Sequence, residues 1–318
     1  MLFEFLAQLD LSDIRVRAPS KIILLCGGQM SNKHEDAPLS LRDVFFKIVD
    51  SPIPKDSTLF RAEDVNAFYI KSAKYDDLLK FENDLAQICE LILLFCESEG
   101  SFSELGSFAS NEEISSRTLV VIQDEFFNDE KSYIRLGPLQ ALLNDDDSAV
   151  VTYSKNQLGI VGTNVSNANR QALGALLKER IARRLSSIDR HTTLSILREG
   201  HAIKALVGFA QELGALQRDE MLLALQHIGI DINDDQLSRY ILCAESVTWL
   251  RENRTGDRRL IFPNPKLEET ATQFLVKKGG DLPTNALRRR AAILDYWQAN
   301  DPERFYAIAE MKGKKWAA

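Results

Sequence analysis

The chain has 318 residues, of which 27% are charged and 45% hydrophobic, and its formal net charge at pH 7 is −7. These fractions are ordinary for a soluble globular protein of about two domains, and they exclude a low-complexity or globally disordered chain. No apolar run reaches the roughly 20 residues of a membrane span, and the first ten residues carry no basic cluster typical of a secretory signal.

The cysteines and histidines indicate neither a metal site nor a disulfide framework. Four cysteines, Cys26, Cys89, Cys96 and Cys243, show no metal-ligand spacing, and no pair of the four histidines does either. We therefore expect no metal centre and a reducing, cytoplasmic compartment, with no membrane partner.

Charge is distributed unequally along the chain. Residues 1–160 contain 15 Lys and Arg against 27 Asp and Glu, whereas residues 161–318 contain 24 against 19. This asymmetry suggests two domains with different partners. The basic C-terminal half is compatible with a polyanion, whereas the acidic N-terminal half is not an obvious binder of a phosphate backbone.

In the N-terminal half, short buried apolar runs alternate with helical patterns. The apolar runs predict strands at Lys21–Leu25, Glu90–Cys96, Thr118–Ile122 and Ala149–Tyr153. Helical spacing of apolar residues predicts helices at Leu39–Val49, Asp77–Cys89 and Glu104–Ile114. Buried strands separated by helices form parallel sheets that are covered on both faces, so we predict an α/β, Rossmann-like domain over residues 1–160.

From about Asn164 the pattern becomes mostly helical. A long helix over Asn167–Ser187 lies in a predicted helical connector, residues 161–190. Three shorter helices and two strands follow, at His201–Leu213, Arg218–Ile228, Asp234–Cys243, Ser246–Leu250 and Arg259–Phe262. Gly256 marks the hairpin turn between the strands. Three helices and a basic hairpin predict a winged helix-turn-helix domain over residues 191–318, followed by a helix at Asn285–Gln298 and a basic tail.

Two loops of the N-terminal domain carry the candidate chemistry, because ligands bind where parallel strands end. The first is Cys26-Gly27-Gly28, whose glycines let the backbone approach a ligand closely. The second follows the second strand, where Gly100 and Ser101 present N–H groups at a helix start. Glu104 would face the same crevice, and a carboxylate there can attack C1′ of a sugar and expel its base.

Structural roles explain the same residues equally simply. Glu104 fits a helix-terminal acid that stabilises the helix dipole, Ser101 fits a helix cap, and Gly27 and Gly28 fit an ordinary turn. The acids Glu82, Glu97 and Glu99 fit solvated surface positions. If Glu97 or Glu99 lies within a few ångströms of Glu104, like-charge repulsion would instead raise one pKa and supply a general acid.

The residues around Glu104 resemble a known superfamily. The stretch from Gly100 to Gly106, Gly-Ser-Phe-Ser-Glu-Leu-Gly, and the strand before it are similar to the nucleoside deoxyribosyltransferase-like superfamily. Three longer stretches resemble the effector proteins encoded beside retron reverse transcriptases: Ile22–Gly28, Leu93–Asn111 and Leu119–Gly137. In those effectors a deoxyribosyltransferase-like domain precedes a DNA-binding winged helix. The resemblance covers roughly Lys21–Leu143.

The resemblance implies roles for individual residues. Glu104 matches the catalytic nucleophile of the transferases. The implied substrate-binding residues are Gly27, Gly28, Glu82, Glu97, Ser98, Gly100 and Ser101. The loop before the nucleophile is shorter than in the transferases and has Glu97, Ser98 and Glu99 in place of a sugar-orienting Asp, which leaves the preferred sugar open. The retron effectors point to a nucleotide or NAD as the glycosidic substrate rather than as a bound cofactor.

The resemblance also implies partners. The chain would be the toxin of a retron antiviral defence system, restrained by the reverse transcriptase and its multicopy single-stranded DNA–RNA hybrid, with a homo-oligomer or higher assembly left open. The candidate phosphate contacts are Arg251, Arg254, Arg258, Arg259, Arg288, Arg289 and Arg290, although a solvated basic surface has the same composition.

Two other functions fit the same residues. One is a non-catalytic, nucleotide-sensing DNA-binding regulator. The other is a nucleoside-monophosphate phosphoribohydrolase, against which the Ser98-Glu99-Gly100 segment counts, since that family usually has Pro-Gly-Gly there.

Overall fold

The computed structural model describes residues 1–72, 74–187, 192–267, 269–277, 279–314 and 316. The α-helices are α1 (Leu2–Gln8), α2 (Leu41–Phe46), α3 (Ala62–Ser72), α4 (Leu78–Ile88), α5 (Glu99–Ala109), α6 (Glu112–Ser115), α7 (Asp124–Asn128), α8 (Gln140–Asp145), α9 (Lys155–Leu158), α10 (Arg170–Ser187), α11 (Glu199–Leu213), α12 (Arg218–His227), α13 (Asp234–Ser246), α14 (Ala286–Asn300) and α15 (Pro302–Gly313). The strands are β1 (Leu9–Val16), β2 (Lys21–Cys26), β3 (Ser57–Arg61), β4 (Leu91–Cys96), β5 (Thr118–Gln123), β6 (Val150–Tyr153), β7 (Thr192–Thr193), β8 (Leu250–Thr255), β9 (Arg258–Pro263) and β10 (Thr272–Val276).

The chain forms two compact units, each assembled from separate segments. The sheet unit consists of Lys21–Asp64 and Cys89–Ile188, and the helical unit consists of Met1–Ser20, Val65–Ile88 and Asp189–Ala318. The predicted domains were contiguous, whereas residues 1–20 and 65–88 group here with the C-terminal elements. Among the described residues, no helix is both long and apolar enough to cross a membrane.

The sheet unit contains a five-stranded parallel sheet in the order β3-β2-β4-β5-β6. This confirms the predicted α/β class and parallel sheet. The four predicted strands are present to within one or two residues, because their apolar runs are buried almost completely, and every residue of β4 is buried. The edge strand β3 was not predicted, since its Ser-Thr-Leu-Phe-Arg sequence is only half-buried and has no continuous apolar run.

Helix α10 is part of the core of the sheet unit, although the sequence placed it in a connector. Its apolar face presents Leu173, Leu177 and Ile181, all 0% exposed, to the cluster formed by the sheet and α2. The buried Arg184 donates to the carbonyls of Ser115 and Thr118, both at 2.9 Å, and pairs with Asp146. Burial of this apolar face fixes α10 to the unit.

In the helical unit, α11, α12 and α13 are followed by an antiparallel hairpin of β8 and β9, in the predicted order. The turn has Gly256 at φ +58°. The predicted strand Ser246–Leu250 was wrong, because α13 continues to Ser246, whose hydroxyl donates to the Cys243 carbonyl at 2.7 Å. Strand β8 begins only at Leu250, where pairing with Pro263 starts. A second sheet, in the order β10-β1-β7, was not predicted.

Replacing Leu177 tests whether α10 belongs to the core. Leu177→Ala leaves a cavity against the sheet, and we expect it to lower the free energy of unfolding by about 2–5 kcal/mol. Lys178→Ala, on the exposed side of the same helix, should change it by less than about 0.5 kcal/mol. Urea unfolding is followed by far-UV circular dichroism. Tryptophan fluorescence would not report directly on the sheet unit, because all three tryptophans lie in the helical unit. Equal stability of the two variants would contradict the assignment.

Candidate active site

A cavity of about 320 Å³ lies in the sheet unit at the carboxyl ends of its strands. Its lining includes Gly28 after β2, Cys96 and Glu97 at the end of β4, Gln123 at the end of β5 and Tyr153 at the end of β6. Ligands of open parallel sheets bind at this edge, and the volume is at the lower end of the range for small-molecule pockets. The cavity is therefore the candidate site of the sheet unit.

The Glu97 carboxylate organises one wall of the cavity. It accepts hydrogen bonds from the backbone N–H groups of Leu41 at 2.7 Å, Arg42 at 3.0 Å and Gly28 at 3.3 Å. Burial raises the pKa of this carboxyl, although the three N–H groups and the charge of Arg42 act in the opposite direction. Glu97 thus joins the loop after β2 and the start of α2 to the end of β4, and its substrate contact stays a prediction.

Gly27 and Gly28 are required by close contacts within the protein. Gly27 has φ +140°, and a Cβ there would lie 2.6 Å from the carbonyl oxygen of Phe95. A Cβ on Gly28 would lie 2.8 Å from both Glu97 Cγ and Ser40 Cβ. The loop can therefore approach β4 and α2 only without side chains at these positions.

A capping box begins α5 at Glu99, five residues before the predicted start at Glu104. The Ser98 hydroxyl accepts from the Ser101 N–H at 3.3 Å. The Ser101 hydroxyl accepts from the N–H groups of Glu97 and Ser98 and donates to the Ser98 carbonyl at 2.7 Å. Of the two roles considered for Ser101, the structure shows the cap. The substrate contacts of Ser98, Ser101 and Gly100, which lies in the first turn of α5, stay predictions.

Glu104, the predicted nucleophile, is half-buried in the second turn of α5, and its Oε2 atom is buried. It is not among the residues that line the cavity. Its charge nevertheless reaches a lining residue. Burial, followed by the negative charges of Glu104 and Glu97, raises the pKa of the Cys96 thiol. The Cys96 thiol donates to the carbonyl of Ser101 at 3.9 Å, so the turn of α5 before Glu104 contacts the end of β4.

Two other acids have different surroundings. Glu82 lies half-buried on α4, which belongs to the helical unit, so its contact with a base in the sheet unit stays a prediction. Glu99 is exposed on the first turn of α5. Within the described ranges, no group of three or more His, Cys, Asp or Glu side chains could hold a metal ion.

Two groups of residues that line the cavity were not predicted. Phe102 and Phe126 form a tilted ring pair with centroids 5.0 Å apart, and both line the cavity. Tyr153 and Lys155 line it from the end of β6 and the start of α9. The first two loops were chosen because ligands bind where parallel strands end. The same argument applies to the end of β6, the fourth strand predicted from the sequence, and could have indicated Tyr153 and Lys155.

The predicted nucleic-acid contacts include two arginines with internal partners. Arg289 is 1% exposed, pairs with the buried Glu212, and donates to the carbonyls of Thr284 at 3.2 Å and Phe274 at 3.3 Å. Arg290 donates to the same Glu212 at 3.0 Å. Arg289 therefore has almost no surface to offer a nucleic acid, because the fold uses its guanidinium to compensate a buried carboxylate.

The remaining five arginines differ in exposure. Arg258 pairs with Asp301 at 2.8 Å and Glu303 at 2.9 Å, and these carboxylates raise its pKa. Arg251 lies over the Trp316 ring, 4.8 Å from its centroid. Arg254, Arg259 and Arg288 are exposed. These three are the members of the set best placed to contact a phosphate.

The sheet unit is an α/β unit built on a parallel sheet, with a polar and aromatic cavity at the carboxyl edge as its candidate ligand site. The chain belongs to the STM3845 retron effector protein family, whose model matches residues 38–252, more than half of its length.

Two curated proteins of Escherichia coli are similar to the chain. "Retron Ec86 putative ribosyltransferase/DNA-binding protein" is 36% identical over 136 residues, which is 43% of this chain and 42% of that protein. "Retron Ec73 putative ribosyltransferase/DNA-binding protein" is 30% identical over 133 residues, which is 40% of each chain. The chain thus spans about two fifths of the length of these relatives.

The contrast between Gly28 and Gly100 tests the loop geometry. Gly28→Ala places a methyl group against Glu97 and Ser40, and we expect it to lower the free energy of unfolding by about 1–3 kcal/mol. Gly100→Ala is the matched control, because a Cβ there meets no atom within 4 Å, and we expect it to be neutral or to stabilise α5 by about 0.5–1 kcal/mol. Urea unfolding followed by circular dichroism compares them. A Gly28→Ala protein as stable as Gly100→Ala would show that the loop does not need the close approach.

Proposed function

We propose that this retron effector is the toxin of an antiviral defence system, and that its sheet unit cleaves the N-glycosidic bond of a nucleotide or NAD. The main support is the place of Glu104 on α5, one turn after Ser101, whose carbonyl accepts from the cavity-lining Cys96 at 3.9 Å. The relatives' names, which include ribosyltransferase, point to the same class of reaction.

In the proposed reaction, the Glu104 carboxylate attacks C1′ of the sugar. The C1′–N bond breaks, its electron pair leaves with the base, and a glycosyl ester forms on Glu104. Water then attacks C1′, releases the sugar and restores the carboxylate, and its proton passes to the base expelled from a nucleotide or, for NAD, to solvent. Alternatively, a second base takes the sugar. Glu97 and the capping box of α5 would position the surrounding backbone rather than react. The proposal requires the Glu104 carboxylate to reach a sugar bound next to Cys96.

In the same proposal the helical unit is a winged helix-turn-helix that holds the multicopy single-stranded DNA–RNA hybrid together with the reverse transcriptase. The succession of α11, α12, α13 and the β8–β9 hairpin supports this. Exposed Arg254 and Arg259 on the hairpin and Arg288 on α14 would contact phosphates, which gives affinity without reading sequence. The partners would restrain the toxin, in a homo-oligomer or higher assembly or as one copy, until infection disturbs the complex.

A second candidate function has one observation in its favour. Glu104 is not among the residues that line the cavity, as expected for a nucleotide-sensing DNA-binding regulator that performs no turnover. In that case the cavity would bind its ligand and change the state of the nucleic-acid complex without breaking a bond.

Base release distinguishes the two functions. The purified protein is incubated with NAD, nucleoside monophosphates and deoxynucleosides, alone and assembled with its reverse transcriptase and DNA, and liquid chromatography follows the free base. We expect release by the wild type and a loss of roughly 10³-fold or more in Glu104→Gln, which lacks the nucleophile. Glu99→Gln, an exposed acid on the same helix, should keep its activity. No release in either state would favour the sensor, and so would a Glu104→Gln variant that keeps full biological activity. Undiminished base release by Glu104→Gln would instead remove Glu104 as the nucleophile.

The salt dependence of DNA binding tests the three exposed arginines. We expect the triple variant Arg254→Ala, Arg259→Ala, Arg288→Ala to weaken binding of a single-stranded DNA and to reduce the slope of log K against log salt by roughly 0.7 per lost phosphate contact. Arg170→Ala, an exposed arginine of the sheet unit, is the control. Fluorescence anisotropy over a salt series measures the slope, and an unchanged slope in the triple variant would remove these residues from the interface.

A further inference from the structure

Some polar groups that line the cavity already make hydrogen bonds within the protein, and others do not. Glu97 accepts three backbone hydrogen bonds. The Gln123 amide donates to Glu125 at 2.9 Å, and the Ser40 hydroxyl accepts from the Asp43 N–H at 3.0 Å. Among the described residues, the Lys155 ammonium and the Tyr153 hydroxyl make no hydrogen bond or ion pair. These two groups remain available to a ligand.

Lys155 and Tyr153 are both donors. Lys155 is half-buried. Two charged residues line the cavity, the cation Lys155 and the acid Glu97. Tyr153 is 7% exposed, and burial together with the charge of Glu97 raises its pKa, so the phenol keeps its proton at neutral pH. A cation and an O–H donor two residues apart suit an anion, since hydrogen bonds between charged partners are the stronger ones.

The aromatic pair selects the kind of anion. Phe102 and Phe126 line the same cavity with their centroids 5.0 Å apart. Aromatic side chains can stack on any of the nucleobases, because every base has a flat π-face. A ligand that offers a planar base to the rings and an anion to Lys155 is a nucleotide, and a cavity of about 320 Å³ suits a small molecule rather than a polymer.

We propose that Lys155 and Tyr153 bind a phosphate of the substrate, so that the site selects phosphorylated nucleotides over nucleosides. This inference rests on the proposed nucleotide-binding role of the cavity, and it adds two specificity-determining residues to it.

Binding without turnover tests the inference separately from catalysis. In the Glu104→Gln background, titration calorimetry compares the four ribonucleoside 5′-monophosphates, their nucleosides and NAD. We expect at least one monophosphate to bind about 10- to 100-fold more tightly than its nucleoside. Adding Lys155→Met should remove most of this preference and leave the nucleoside affinity within about 2-fold, while Tyr153→Phe should reduce it by roughly 5-fold. Lys155→Arg should restore part of it.

Controls and contrary outcomes are defined by the same titrations. The control is Lys178→Met, at an exposed lysine of the same unit, and it should leave the preference for phosphate unchanged. Circular dichroism verifies that every variant is folded. If Lys155→Met does not fold, Lys155→Gln replaces it. Equal affinity for nucleotides and nucleosides, a preference that survives loss of Lys155, or no binding of any probe would each overturn the inference. Phosphate preference without base release by the wild type would instead overturn only the proposed glycosidase.

Discussion

One half-buried carboxylate holds the candidate site together. Glu97 accepts backbone hydrogen bonds from Gly28, Leu41 and Arg42, which connect the ends of two strands to the start of a helix. Burying this charge is unfavourable, as the raised pKa of Glu97 shows, but three N–H groups and the charge of Arg42 offset much of the cost. The close approach also explains why Gly28 has no room for a side chain. The wall of the cavity is thus built around a carboxyl group that belongs to the protein.

Strands could be predicted from the sequence where burial is complete on both faces. Strands β2, β4, β5 and β6 are nearly continuous apolar runs, and these were predicted to within one or two residues. Strand β3 is half-buried at the edge of the sheet and has no such signature. The start of α5 was missed because Ser98 and Ser101 cap each other, so short polar residues that resemble a loop in sequence form the first turn of a helix.

The candidate active site could be predicted only where its residues lie close together in the sequence. The two loops were identified from Gly27, Gly28 and the residues around Glu104, which are local features. The partners of Glu97 lie 55 to 69 residues away, and Glu212 lies 77 residues from Arg289. No pattern in the sequence indicates these pairs, which give Glu97 and Arg289 their structural contacts. Tyr153 and Lys155 became visible only when the sheet order placed the end of β6 at the same cavity.

Electrostatics at the cavity also narrow the choice of nucleophile. Cys96 lines the cavity, but its reactive form is the thiolate, and burial together with the charges of Glu104 and Glu97 raises the pKa of the thiol. Burial, reinforced by the two acids, therefore keeps the Cys96 thiol protonated. Cys96 would therefore not attack a glycosidic bond in this unit, and Lys155 is the lining cation that could hold an anionic substrate.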